Sequence, residues 1–181
     1  MFETVRNAFK IKDLRKKLFY TFFALIVVRI GSQLPVPGVK YEAIREMFNS
    51  QKSLDFFNQL TGGSFEQMSI FALNITPYIT ASIIIQLLTI AIPRLEELHK
   101  DGEEGRKKLT EYTRYVTIGL SVLESAAMAI GFGNSGYLTD DKITFTSVSV
   151  IIVSLTAGSA FLMWLGEQIT EKGVGNGISI I

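Results

Sequence analysis

Three ionisable side chains lie where a membrane or a ligand would give them a chemical role: Arg29, Glu124 and His99. Arg29 and Glu124 each interrupt an apolar run, and a charge at the centre of a membrane-spanning helix costs about 2.5 kcal/mol or more. Arg29 is expected either to reach the outer interface or to have a buried partner. An Arg29–Glu124 ion pair is one hypothesis, and a neutral, protonated Glu124 is the alternative. His99, the only histidine, has no second strong metal ligand at a suitable spacing, so we interpret it as a surface residue and predict no metal site.

The sequence contains no recognisable arrangement of residues for catalysis or cofactor binding. The chain has no cysteine, and neither a Ser/His/Asp set nor paired intramembrane carboxylates is present. The glycines of GVGNG at 173–177 lack the Lys–Ser/Thr of a phosphate loop and the spacing of a dinucleotide-binding motif, so we interpret them as a flexible lead into a helix. No basic and aromatic surface indicates nucleic-acid binding. The sequence therefore disfavours an enzyme, predicts no cofactor and favours part of a channel or transporter.

The polar side of one apolar stretch, Ile75–Ile92, is the pattern that most needs a function. Wound as a helix at about 100° per residue, the stretch gathers its polar residues on about one third of its circumference, together with three isoleucines. These residues are Thr76, Ile79, Ser82, Ile83, Gln86 and Ile90. Because lipid offers no hydrogen-bond partner, this side is expected to face protein or a cavity, and Ile79 and Ile83 face the same way.

The composition indicates an all-α membrane protein, a polytopic helical bundle. Of 181 residues, 48% are hydrophobic and 19% are charged, with a formal net charge of +1, and the mean hydropathy is +0.30. These values are too apolar for an ordinary soluble domain and too charged for a chain that lies wholly in the membrane. We predict four spans and the start of a fifth, at 18–34, 75–92, 115–132, 145–165 and 176–181.

Charge divides the connecting segments between two sides of the membrane. Thirteen of the eighteen Lys and Arg residues fall in the segments predicted to be cytosolic, at 1–17, 93–114 and 166–175. The outer segments 35–74 and 133–144 hold four, with Arg29 uncounted. The N-terminus is therefore predicted to be cytosolic. Segment 1–17 fits an amphipathic helix on an anionic inner leaflet and fits a basic flank that only sets the topology equally well.

The two longest connecting segments differ in polarity. Segment 35–74 carries aromatic residues around Gly62–Gly63, namely Phe56, Phe57, Phe65 and Phe71. Burying such side chains stabilises a protein by about 1.5–3 kcal/mol each, so the segment is expected to pack against protein or to re-enter the membrane domain. A small surface cap is the alternative. Segment 93–114 alternates acidic and basic residues and is predicted to be a solvated loop that turns at Gly102 and Gly105.

Four stretches of the chain resemble the SecY family, whose members are the central subunit of the bacterial protein-conducting channel. They are SIFALNITPYITASIIIQLL (69–88), WLGEQITEKGVGNGISII (164–181), VRIGSQLPVPGV (28–39) and DGEEGRKKLTEYTRY (101–115). The first two correspond to the family's signature stretches, and the resemblance covers the whole chain. It departs at Asn74, where the family usually carries Gly, and this difference falls at the hinge into the second span.

The resemblance implies ten spans in two inverted halves of five around an hourglass pore, which opens across the membrane and sideways into lipid. By motif position, Ile79, Ile83 and Ile178 look like members of the isoleucine ring that seals the pore. Segment 54–67 resembles the plug that blocks the outer funnel, with Leu54, Phe56, Phe57, Leu60, Gly62, Gly63 and Phe65. The second and third spans resemble one side of the lateral gate, with Ser82, Gln86, Thr117, Ser121 and Glu124.

The same resemblance implies a location, partners and a function. The chain is expected in the cytoplasmic (inner) membrane, with the remaining C-terminal half of SecY, the SecE and SecG subunits, a SecA motor or ribosome, a secretory polypeptide with its signal sequence, and the lipid bilayer. It would form the N-terminal part of the channel that passes secretory proteins across the membrane and membrane proteins into it. Because the sequence stops at the opening of the fifth span, it is not expected to form a sealed pore alone. The alternatives are a non-transporting structural or assembly module of a membrane complex and, third, a small-solute transporter.

Overall fold

The computed structural model describes residues 11–50, 59, 63–139 and 144–181, the side chains of 47–50 excepted. Within these ranges the chain forms seven helices, which we number in order. They are α1 (Lys12–Gly31), α2 (Tyr41–Ser50), α3 (Thr76–Ala91), α4 (Pro93–Lys100), α5 (Glu103–Asn134), α6 (Phe145–Lys172) and α7 (Gly177–Ile180). The only β pairing among the described residues is two isolated bridges, Pro35–Ser69 and Val39–Leu138. The predicted all-α fold is confirmed.

Two of these helices, α5 and α6, are apolar and long enough to cross a membrane, and α3 with α4 makes a third candidate if the bent pair is one span. The helix predicted over 18–34 is present as α1, but α1 begins at Lys12 and ends at Gly31. Its first two turns carry charges at several positions, which leaves it a shorter apolar stretch than α5 or α6 has. The four spans and their orientation stay predictions.

The chain bends sharply where α3 meets α4. Ile92 is extended, with φ −113° and ψ 113°, and Pro93 begins α4. A residue before proline is driven out of the helical region, while proline itself fits the first turn of a helix, where no N–H is needed. The two helix axes therefore differ by 103°, and the end of the helix predicted at Pro93 is confirmed.

Segment 93–114 is exposed along most of its length, as predicted for a solvated segment, but it is largely helical rather than a loop. The turn falls at Gly102, whose φ of +75° suits glycine, and α5 then runs without a break for 32 residues. Gly105 is not part of the turn. It is buried inside α5, where any Cβ would overlap the carbonyl oxygen of Leu98. Gly105 therefore lets α4 pack directly against α5, an arrangement that the alternating charges do not reveal.

The described part of segment 35–74 packs against protein. Its buried apolar residues join residues of α5 and α6 in one core, which comprises Val36, Val39, Ile44, Met68, Ala72, Leu73, Ala129, Leu138, Ile151 and Leu155. Two backbone hydrogen bonds tie its two ends together, Val36 N–H to Met68 O at 2.8 Å and Ile70 N–H to Leu34 O at 2.9 Å. Burial of this backbone is therefore matched by hydrogen bonds, as a segment shielded from water requires.

Residues 70–74 lie halfway along α6. A Cβ at Gly158, the fourteenth of the 28 residues of α6, would overlap the carbonyl oxygen of Ile70. Phe71 stacks on Phe161 with ring centroids 5.9 Å apart, and its ring fills the space beside Gly31 of α1. Contact this deep along α6 favours the re-entrant interpretation of the segment over a surface cap.

Asn74 has a left-handed backbone, with φ +52°. Its N–H donates to Phe71 O at 2.8 Å, and its carbonyl accepts from the Ser159 hydroxyl at 3.3 Å. Asn is the residue other than Gly that adopts this conformation most readily. The hinge into α3 therefore keeps a glycine-like geometry even though the residue is Asn.

Candidate functional site

Helix α3 has one face packed on protein and one face open. Pro77, Ala81 and Ile85 are buried, whereas Ile79 and Ile83 are 45% and 52% exposed. The side with no polar residue is thus the one that contacts the rest of the chain. Ser82 and Gln86 line a cavity together with Arg106, Leu109 and Thr113 of α5, so the cavity-facing position expected for the polar side fits these two residues.

Two of the polar side chains near this open face bond within α3 itself. The Gln86 side-chain amide donates to the Ser82 hydroxyl at 3.3 Å, and the Thr89 hydroxyl donates to the Gln86 carbonyl at 2.6 Å. Ile79 and Ile83, by contrast, carry no hydrogen-bonding side-chain group.

Small residues of α5 let the neighbouring helices pack closely against it. Every fourth residue from Thr113 is small and buried, at Thr113, Thr117, Ser121, Ser125 and Ala129. The hydroxyls of Thr117 and Ser121 donate to carbonyls of their own helix, Thr113 O at 2.7 Å and Ile118 O at 2.9 Å. Small, internally bonded residues let helix backbones approach without leaving a polar atom unpaired.

The five residues predicted for the lateral gate do not share one surface. Ser82 and Gln86 lie on the more open side of α3, while Thr117 and Ser121 are fully buried in the packing of α5. Glu124 is half-buried. Helical periodicity on α5 predicted an inward face correctly, and that face is used for packing within the chain.

Ile178 lies beside α3, although it is less exposed than Ile79 or Ile83. Its Cδ1 is 3.4 Å from the place that a Cβ at Gly166 would occupy, and the Cδ1 of Ile75 is also 3.4 Å from that place. Ile75, Ile79 and Ile83 follow one another at intervals of four residues and so share a stripe of the helix. Ile178 therefore meets the Ile75 end of this stripe.

The turn before α7 leads into a helix, as predicted, but close contacts hold it where flexibility was expected. Gly175 has φ +75°. A Cβ at Gly173 would overlap the Thr21 hydroxyl, and a Cβ at Gly177 would overlap the Gly166 carbonyl oxygen. Each glycine is thus required by backbone conformation or by close contact.

Arg29 and Glu124 do not form an ion pair. Ion pairs among the described residues are Arg45–Glu66, Lys100–Glu96 and Arg114–Glu167. Arg29 instead lines a cavity of about 390 Å³ between α1, segment 63–74, α6 and α7, together with Ser32, Phe71 and Asn74. The hypothesis of a direct Arg29–Glu124 pair was therefore wrong.

Two of the seven predicted plug residues are described. Gly63 has φ +86°, and Phe65 is half-buried against the core that contains Met68. Leu54, Phe56, Phe57, Leu60 and Gly62 lie outside the described residues, and so do residues 1–10 of the basic segment. His99 is exposed on α4, as predicted for a surface residue.

Sequence reasoning missed one polar contact, between Arg114 of α5 and Glu167 of α6. Arg114 Nε donates to Glu167 Oε1 at 2.9 Å, and this hydrogen bond raises the pKa of the Arg114 guanidinium above its ordinary value. Tyr78 of α3 lies within electrostatic range of both groups. The two residues are 53 positions apart in sequence, so no local pattern relates them.

Comparisons with known proteins match the chain to one family. A family model described as SecY matches residues 69–181. The protein translocase subunit SecY of Halalkalibacterium halodurans is 49% identical over 185 residues, which cover 100% of this chain and 42% of the relative. The SecY subunit of Bacillus subtilis is 48% identical over 184 residues, with 100% and 42% coverage, and that of Streptomyces coelicolor is 43% identical over 194 residues, with 100% and 44% coverage. The chain thus spans less than half the length of these relatives.

Two solved structures share the fold. One is Sec61 in the canine ribosome–channel complex from the endoplasmic reticulum, with a TM-score of 0.62 and 21% identity over 92% of this chain and 35% of that one. The other is a protein-conducting channel with the same TM-score and identity, over 92% of this chain and 34% of that one. At this identity the two structures show that the fold is shared, while the family match rests on the family model and the SecY relatives.

Proposed function

Because this chain belongs to the SecY family of protein translocase subunits, we propose that it supplies the N-terminal part of a protein-conducting channel in the cytoplasmic membrane. In this proposal the N-terminus lies in the cytosol, and the channel passes secretory proteins across the membrane and membrane proteins into it. The observation that carries the proposal is the open face of α3. Branched apolar side chains stand exposed there, on a helix whose opposite side is buried.

A wall of isoleucines can both seal a pore and yield to a polypeptide. Branched apolar side chains that close on one another exclude water from a constriction, and an ion cannot pass a dry constriction without losing its hydration. The same side chains make no specific hydrogen bond, so any polypeptide sequence can displace them. Ile79 and Ile83 are proposed as two ring members on this ground.

Ile178 is proposed as the third ring member. Its motif position suggests the role, and its contact beside Gly166, at the Ile75 end of the α3 stripe, supports it. The remaining members are proposed to come from the C-terminal half of the complete protein, which would close the ring.

The lateral gate is proposed to run along the open side of α3, with Ser82 and Gln86 at its surface. Thr117 and Ser121, which are buried, would hold α5 against its neighbours and keep this side of the gate rigid. Glu124 is half-buried and would lie at the edge of the lateral gate. The plug role is proposed for segment 54–67, whose described end, Gly63–Gln67, rests on the core.

The partners follow from the same proposal. The open face of α3 would meet the C-terminal half of SecY and the passing secretory polypeptide with its signal sequence. The SecE and SecG subunits, a SecA motor or a ribosome, and the lipid bilayer would complete the assembly. The canine relative with the same fold was solved in a ribosome–channel complex, which supports a ribosome as one partner.

The seal is tested by ion conductance of the complete closed channel. Replacing Ile79 and Ile83 together by Gly should raise the leak, because two of the side chains that exclude water are lost. Leu123→Gly combined with Val153→Gly is the matched control, since both are apolar residues, on α5 and α6, that are 67% exposed, and each replacement carries a similar helix cost of about 1 kcal/mol. Unchanged conductance in the double variant would remove the seal role.

A further inference from the structure

We propose that the hydroxyls of Thr170 and Thr21 set the position of α7 and thereby place Ile178 beside α3. Both threonines are positioning residues, since neither is proposed to touch the translocating chain. The inference deepens the proposed function, because the value of a fixed Ile178 rests on its membership of the pore ring. The contacts that carry it are nonetheless present in the chain whatever Ile178 does.

The Thr170 hydroxyl donates one hydrogen bond and accepts another. It donates to the Gly166 carbonyl, four residues earlier in α6, at 2.9 Å, and it accepts from the Gly177 N–H at 2.8 Å. Gly177 is the first residue of α7, where an N–H has no partner within its own helix. The hydroxyl is therefore oriented by α6 and presents its oxygen to the start of α7.

The Thr21 hydroxyl repeats the arrangement from α1. It donates to the Lys17 carbonyl at 3.0 Å and accepts from the Val174 N–H at 3.1 Å. Again a hydrogen bond within the helix orients the hydroxyl, and its oxygen accepts a hydrogen bond from a backbone N–H of the turn. The turn before α7 is thus attached both to α6, which precedes it, and to α1, whose Thr21 is 153 positions before Val174.

Packing leaves the turn little freedom to move. A Cβ at Gly173 would overlap the Thr21 hydroxyl, and a Cβ at Gly177 would overlap the Gly166 carbonyl. The Asn176 side chain caps α7 by accepting from the Ile178 N–H at 3.0 Å. These contacts, all made by residues outside α7, fix where α7 begins.

Cysteine crosslinking tests whether the threonines position α7, and it does so independently of the pore seal. The chain contains no cysteine, so cysteines placed at 75 and 178 report on contact between α3 and α7 in membranes that carry the full protein. Thr170→Val should lower the rate of their crosslinking by about five- to tenfold, the loss expected when one hydrogen bond to a buried N–H is removed. Thr170→Ser should restore the rate, because serine keeps the hydroxyl.

The matched control is Thr110→Val. The Thr110 hydroxyl donates only within α5, to Arg106 O at 3.0 Å, so its loss should leave the crosslinking unchanged. Thr21→Val, like Thr170→Val, should lower the rate of crosslinking between positions 75 and 178. An unchanged rate in Thr170→Val, or an equal decrease in Thr110→Val, would overturn the positioning role.

Conductance separates this inference from the proposed function. If Ile178→Gly raises the ion leak of the closed channel, Thr170→Val should raise the leak too, and Thr170→Ser should not. In that case a Thr170→Val channel with an unchanged leak would overturn the inference. If Ile178→Gly leaves conductance unchanged, the assignment of Ile178 to the ring is wrong, and the crosslinking rates alone decide whether the threonines position α7.

Discussion

Replacing Gly158 by Ala tests whether segment 63–75 descends to the middle of α6. A methyl group at this position would overlap the carbonyl oxygen of Ile70 and approach the Ile70 carbonyl carbon at 2.8 Å. These are backbone atoms, which cannot turn aside as the end of a long side chain can. The segment must therefore move away from α6.

The expected cost comes from three contacts and is offset by one gain. Overpacking costs about 1–3 kcal/mol. A displaced segment also weakens the Phe71–Phe161 stack, which contributes about 0.5–1.5 kcal/mol, and the hydrogen bond from Ser159 to Asn74 O, which contributes about 0.5–1.5 kcal/mol. Alanine gains about 1 kcal/mol over glycine in a helix. The net loss in the free energy of unfolding should be about 1–5 kcal/mol.

Thermal unfolding of the detergent-solubilised protein measures this loss. Gly119→Ala is the matched control, since Gly119 lies in α5 with no atom within 4 Å of an added Cβ, so this variant should be neutral or more stable by up to about 1 kcal/mol. If Gly158→Ala unfolds at the same temperature as Gly119→Ala, then Ile70 does not lie on Gly158 and segment 63–75 is a surface cap.

Three other substitutions should each change the free energy of unfolding in a predicted direction, and the same unfolding measurement tests them. Gly166→Ala should stabilise the protein by up to about 1 kcal/mol, because an added Cβ meets only isoleucine methyl groups, at 3.4 Å and beyond; a loss of stability would show that α7 lies closer to α6 than described. Asn74→Ala should cost about 1–2 kcal/mol because of its positive φ, whereas Asn74→Gly should cost almost nothing, and equal effects of the two variants would contradict the left-handed conformation. Arg114→Gln should cost about 0.5–1 kcal/mol, and the cost should shrink in 1 M salt because the Arg114–Glu167 pair is partly exposed; a cost independent of salt would indicate that packing dominates.

Periodicity and composition predicted the features that depend on local sequence. The helical fold, the end of α3 at Pro93 and the placement of Ile79 and Ile83 on one face all follow from residue type and spacing. The aromatic content of segment 35–74 also indicated correctly that its described part packs against protein. Each of these features needs information from only a few neighbouring residues.

The errors share a different cause, which is contact between distant parts of the chain. Gly105 looked like a turn residue because its partner, Leu98 of α4, cannot be identified from charge alternation. Gly173 and Gly177 looked flexible because the Thr21 hydroxyl and the Gly166 carbonyl that press on them come from other helices. The Arg29–Glu124 pair was inferred from similar depth, and depth alone does not decide which side of a helix a residue faces.

The most direct test of the channel role is site-specific photocrosslinking of an arrested secretory chain in the complete translocase. Probes at 79 and 83 occupy the open face of α3, and probes at 123 and 153 occupy positions on α5 and α6 where the native residues are each 67% exposed. We expect the secretory chain to crosslink at 79 and 83 and lipid to crosslink at 123 and 153. Crosslinks to lipid at all four positions, with none to the secretory chain, would contradict the pore and favour a structural module of a membrane complex.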